Sequence, residues 1–129
     1  MAYTFGTVVE GDIASVRPAV EAALAAEGFG ILTEIDVAAT LKAKLDVDRD
    51  PYLILGACNP ALANEALAAD ENVGALLPCS VVLRQEGANV AVRFMDPMTV
   101  LGLVGSAKAD EAATDARGRL ERVSASLGA

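Results

Sequence analysis

A chain of 129 residues with 53% hydrophobic but only 4% aromatic content can bury one core without disulfides or metal, built from alanine, valine and leucine. Its formal charge of −8, ten basic residues among eighteen acidic ones, excludes nucleic acid, whose phosphates need clustered lysine and arginine, and it opposes an anionic membrane surface. No apolar run spans a bilayer and Met1-Ala2-Tyr3-Thr4-Phe5 is no secretory leader, so a cytoplasmic protein with two free thiols is expected.

Tyr3 to Val9 is rich in strand formers and is closed by Gly11-Asp12. Val16, Val20, Ala23 and Leu24 then recur at helical spacing. Ser15 as N-cap would place Pro18 in the first turn, where a missing N–H does no harm, and Gly28 suits a left-handed helix end. Phe29 to Ile35 alternates, with Phe29, Ile31, Thr33 and Ile35 on one face, and predicts a half-buried strand. Asp36 can cap a short helix carrying Val37, Leu41 and Leu45.

After a polar connector, Tyr52 to Cys58 is apolar on both faces and predicts a central strand flanked by the first and last helices. Asn59-Pro60 is an N-cap followed by a first-turn proline, opening a helix to about Ala69. A hairpin follows, Ser80 to Gln85 and Val90 to Met95 around Glu86-Gly87-Ala88-Asn89, ended by Asp96-Pro97. Met98 to Val104 is apolar where a loop would be polar. Ala109, Ala112, Ala116, Leu120, Val123 and Leu127 form the stripe of a long last helix, which Gly118 weakens by about 1 kcal/mol. Residues 1–129 form a single domain. The hairpin and the irregular alternation of strands and helices predict a two-layer α+β fold.

The ordered pair Leu55-Gly56-Ala57-Cys58-Asn59-Pro60 and Leu76-Leu77-Pro78-Cys79, with Asp96-Pro97, resembles the signature of the domain-of-unknown-function 302 family. Gly28 to Val37 and Thr40 to Leu45 fit the same pattern, and together these segments cover most of residues 3 to 127. The resemblance implies a fold of the TATA-binding-protein class: a curved, mainly antiparallel sheet with helices packed on one side, commonly dimeric. It implies no established reaction. Many relatives carry asparagine after the second cysteine, where this sequence has Ser80.

Cys58 falls at a strand end directly before a helix N-cap, where free N–H groups and the helix dipole stabilise negative charge, the setting of a reactive thiol. Free cysteine is also a common packing residue. Cys79 opens the hairpin and would meet Cys58 if their strands pair, which would permit reversible disulfide exchange; two unrelated packed thiols is the other reading. With no histidine and two cysteines, a four-ligand zinc site, Ser-His-Asp or Cys-His catalysis and histidine-ligated haem are not expected, and neither metal nor cofactor is predicted. Cys58, Asn59, Cys79, Asp36, Lys44 and Asp96 are the candidate binding residues, with Cys58 and Cys79 as candidate nucleophile and resolving partner. Asp36 and Asp96 also read as a helix cap and a strand end, and Lys44 as a solvated charge. Gly28-Phe29-Gly30 precedes a strand, so it is no phosphate loop.

Three functions remain open: a non-enzymatic domain binding a small molecule near Cys58 and Cys79, a thiol redox enzyme or sensor, and a dimeric interaction module. The first is preferred. A homodimer is expected from the aliphatic composition and from the crowding of Met95, Met98, Val100, Leu101, Leu103 and Val104.

Overall fold

The computed structural model describes residues 2–128. Five strands, β1 (Thr4–Glu10), β2 (Gly30–Asp36), β3 (Tyr52–Cys58), β4 (Cys79–Glu86) and β5 (Asn89–Met95), form one open sheet in the order β1-β5-β4-β3-β2. Every neighbouring pair is antiparallel. The helices, α1 (Ile13–Ala26), α2 (Val37–Leu45), α3 (Pro60–Ala69), α4 (Pro97–Leu101) and α5 (Ala107–Gly128), lie on one side. The fold is therefore the expected α+β arrangement, and β3 is an interior strand between β4 and β2.

One core lies between sheet and helices. Leu53, Leu55, Val81, Leu83, Val90, Val92 and Phe94 alternate along three strands and meet Val16, Val20 and Leu24 of α1 and Ala116, Leu120 and Val123 of α5. The period of two along the strands and of about 3.6 along the helices makes these faces coincide. A second, smaller cluster joins Ala66, Val73, Leu101 and Ala113, with Leu76, Leu77 and Val104 packed against it. Met98 to Val104 thus folds back over its own chain, as α4 and a short 3-10 turn against α5. The segment does not need a second subunit to cover Leu101, although Leu103 stays 77% exposed.

Two local expectations are corrected. The N-cap of helix α1 lies three residues before Ser15: it is Asp12, its Oδ1 accepting the Ser15 N–H at 2.8 Å, while Ser15 Oγ accepts the Asp12 N–H at 3.2 Å. This reciprocal box satisfies two orphan donors, and it leaves Pro18 inside the helix, where the Ala14 carbonyl loses its usual donor. At the other end the structure follows expectation. Gly28 is left-handed at φ 84°, its N–H donates to Ala25 O, and Phe29 N–H donates to Leu24 O, the two bonds of a Schellman closure.

Strand β2 is an exposed edge rather than a half-buried strand, with only Ile31 partly covered. The register pairs Ile31 with Ala57 but Thr33 with Gly56 and Glu34 with Leu55. Leu32 is the extra residue of a β-bulge, and one extra residue exchanges the two faces. Beyond it Glu34, not Thr33, shares the helix-side face with Leu55, and there it meets Arg17 of α1 through two hydrogen bonds of 2.7 and 2.8 Å. Leu32 and Ile35 are left 66% and 50% exposed. The hairpin is tighter than expected, with Glu86 paired to Asn89 across Gly87-Ala88. Gly87 sits at φ 61°, as the first central position of a primed turn favours.

No helix among the described residues is long and apolar enough to cross a membrane.

Candidate functional site

The end of β3 turns directly into α3, and the start of β4 lies beside it: Ala57 pairs with Cys79 and Gly30 with Cys58. The antiparallel register therefore brings the two cysteines to one corner of the sheet. Both line a partly open, largely apolar cavity of about 30 Å3. Its walls are the sheet ends, α3 through Leu62, Ala63 and Ala66, and α5 through Ala112 and Ala116. Ala63, Ala66, Ala112 and Ala116 are what leave the space, because a longer side chain at any of them would fill it.

The two thiols differ. Cys79 is 7% exposed, and burial, reinforced by the nearby Cys58, pushes its thiol up to about 11. Burial disfavours the charged form of an acid, so Cys79 is a neutral thiol through the physiological range. Cys58 is partly exposed and stands at the mouth of α3.

Asn59 is occupied on both sides. Its Oδ1 accepts the Leu62 N–H at 3.3 Å, capping α3 as expected. Its Nδ2 donates to the carbonyl of Glu27 at 3.3 Å, the C-cap of α1. Arg119 Nη1 donates to the same carbonyl at 3.1 Å, and Arg122 holds the Glu27 carboxylate at 2.8 Å. Cations at a helix C-terminus are favourable, and the Arg122 hydrogen bond, ahead of the charges of Arg122 and Arg119, holds the Glu27 carboxyl below its usual range. The cluster ties α1, α3 and α5 together beside the cavity.

Residues 5–127 match the family described as Domain of unknown function DUF302. The chain belongs to the DUF302 family. It is also similar to the crystal structure of the uncharacterized conserved protein DUF302 from Bacillus stearothermophilus, with 27% identity, a TM-score of 0.90, and coverage of 98% of this chain and 99% of that one. No curated protein matches it.

Within this DUF302 domain the cavity brings Cys58, Asn59 and Cys79 together and leaves Asp36, Lys44 and Asp96 elsewhere. Asp36 caps α2 through the Ala39 N–H at 2.9 Å. Lys44 is exposed in the last turn of α2 and makes no ion pair among the described residues. Asp96 is 8% exposed; one oxygen accepts the Met98 N–H at 2.9 Å and the other holds Arg117. Ser80 pairs with Gly56 in the neighbouring register step. No cluster of three or more metal-ligating side chains occurs among the described residues.

Sequence reasoning missed the alanine walls, although Leu62/Ala66 and Ala112/Ala116 at i,i+4 were the available signal. It also missed Gln85. That side chain accepts the Ile13 N–H at 3.2 Å and donates toward the carbonyls of Gly11, Gly87 and Asn89, each at 3.0 Å, clamping the hairpin turn to the start of α1. Nothing local marked it.

Proposed function

We propose that this DUF302 domain binds a small apolar molecule in the cavity beside Cys58 and Cys79. The observation that carries the reading is a partly open, largely apolar space lined in part by alanines, in which Cys58, Asn59 and Cys79 are the polar residues. Apolar cavities stay dry and accept apolar guests. At about 30 Å3 the space lies far below the roughly 300 Å3 where drug-sized pockets begin, so the guest is very small or α3 moves aside to admit it. Native mass spectrometry of the protein from its own host tests this. A bound mass that disappears on denaturation, and in a folded Ala63→Leu variant, is expected; a bare chain mass throughout would overturn the reading.

A second reading rests on the register that pairs Ala57 with Cys79 and so brings Cys58 and Cys79 to one cavity. In the presence of glutathione disulfide, Cys58 Sγ would attack one sulfur and release one glutathione thiolate. Cys79 Sγ, after losing its proton to solvent, would then displace the second. Two protein thiols become one disulfide as one glutathione disulfide becomes two thiols. Trapping free thiols after equilibration across glutathione ratios tests it, with a two-thiol loss expected in the wild type and none in Cys58→Ser.

A further inference from the structure

The face of the sheet turned away from the helices carries a second concavity, of about 260 Å3, lined by Tyr3, Thr4, Tyr52, Val82, Arg84 and Arg93. We propose that it binds a small aromatic carboxylate.

Composition makes the site conspicuous. The chain has two tyrosines and both are here, and a molecule of net charge −8 places two arginines and no carboxylate in one lining. The register explains the assembly. Tyr52 pairs with Arg84 and Val82 with Arg93, so strand alternation puts all four on the helix-free face across three neighbouring strands. The start of β1 supplies Tyr3 and Thr4 at the rim.

The charges are unequally satisfied. Arg84 Nη1 meets Glu86 Oε2 at 2.9 Å. Arg93 makes no ion pair among the described residues; its Nη2 donates to Thr4 Oγ1 at 3.1 Å. A guanidinium has five N–H donors in a rigid fork, and one hydroxyl uses a single donor. Thr4 fixes the plane of the fork and leaves donors facing the concavity, the arrangement that receives a carboxylate through two parallel bonds. The rest of the lining suits a ring. Tyr52 already has Arg49 over its ring, 4.8 Å from the centroid, while Tyr3 and Val82 offer further apolar surface. The volume falls just below the roughly 300–1,000 Å3 of drug-sized pockets and suits a single ring rather than a nucleotide.

This site is separate from the cysteine cavity. Titrating the 15N-labelled protein with sodium benzoate at constant ionic strength, followed by amide NMR shifts, tests it. Saturable shifts are expected at Thr4, Val82, Arg84 and Arg93, with none at Ala112 or Leu62. Arg93→Gln should weaken binding tenfold or more, Arg93→Lys should fall between, and Tyr52→Leu should weaken it several-fold, each variant keeping native spectral dispersion. The proposal is overturned if benzoate shifts do not saturate, if they centre on the cysteine cavity, if folded Arg93→Gln binds as the wild type does, or if acetate or inorganic phosphate binds as tightly as benzoate.

Discussion

Asp96 joins two helices through its two oxygens: one receives the Met98 N–H that opens α4, and the other holds the guanidinium of Arg117 on α5. The same guanidinium lies over the Phe5 ring of β1, 4.2 Å from its centroid. The carboxylate is therefore at once a helix cap and the anchor of a cation that covers the core edge. Asp96→Ala removes a cap worth about 1 kcal/mol and leaves the Arg117 cation, whose side chain is 28% exposed, with Glu121 at 2.6 Å as its remaining ion-pair partner. Water still reaches that cation, which keeps the loss below the 3–5 kcal/mol of a fully buried pair. A total of about 2–3 kcal/mol is expected in urea denaturation, and Asp96→Asn, which keeps the cap, should lose about half of that. An Asp96→Ala loss under about 0.5 kcal/mol would show that neither contact matters.

The buried thiol of Cys79 predicts an alkaline effect. An ordinary cysteine releases its proton near 9.0, whereas the folded protein holds this one to about 11. Between those values the folded state binds more protons than the unfolded one, so stability falls as pH rises. The contribution is fully present below about pH 9 and is lost by about pH 11, amounting to about 2–3 kcal/mol. Wild type and Cys79→Ala should therefore converge in stability across that window relative to their difference at pH 7. Parallel curves would contradict it.

At the acid end, Glu27 and Glu34 are held below the ordinary carboxyl range, chiefly by hydrogen bonds from Arg122 and Arg17 respectively. Depressed folded values contribute stability above the unfolded value of about 4.5, and that stability is lost as pH falls through the folded values. Both carboxylates are solvent-accessible, so the effect shrinks with added salt. Glu27→Gln should be less stable than the wild type at pH 7 and lose less on acidification to pH 3, as thermal melts at both pH values can measure.

Much of the architecture was legible because local and global signals agreed. Asn59-Pro60 states a helix start in two residues, and the period of Ala109 to Val123 admits one reading. What escaped was whatever depended on a residue's partner. The Leu32 bulge exchanges the faces of β2 without leaving a compositional trace, so Thr33 and Ile35 fell on the wrong side. Asp12 and Ser15 are both good caps, and the proline that argued for Ser15 is tolerated inside α1. Arg117 reads as a solvated helical charge until β5 delivers Asp96 to it. Of the candidate site, Cys58 and Cys79 were foreseen as neighbours only on condition that their strands paired, and that pairing is a long-range fact no local pattern contains.

We propose that the chain forms a homodimer, on the ground of its aliphatic composition and of the exposed Leu32 and Ile35, Met98 to Val104 being folded back on its own chain. Sedimentation at micromolar concentration and ordinary salt should give twice the chain mass, and Leu32→Lys with Ile35→Lys should return it to the monomer. A wild-type monomer under those conditions removes the expectation.

Strand β1 pairs only with β5, and Glu10 finds Asn89 roughly 80 residues further along. At synthesis rates of about 5–20 residues per second, β1 waits on the order of ten seconds before its partner exists. During that interval Phe5 and Val9 have no sheet to join, whereas β4 and β5 can close on each other as soon as they emerge. The strand made first is thus the last to be seated, and its run of strand formers, Phe5 and Val8-Val9 among them, stays open to a stray chain during the wait, with Glu10 as its one charged residue.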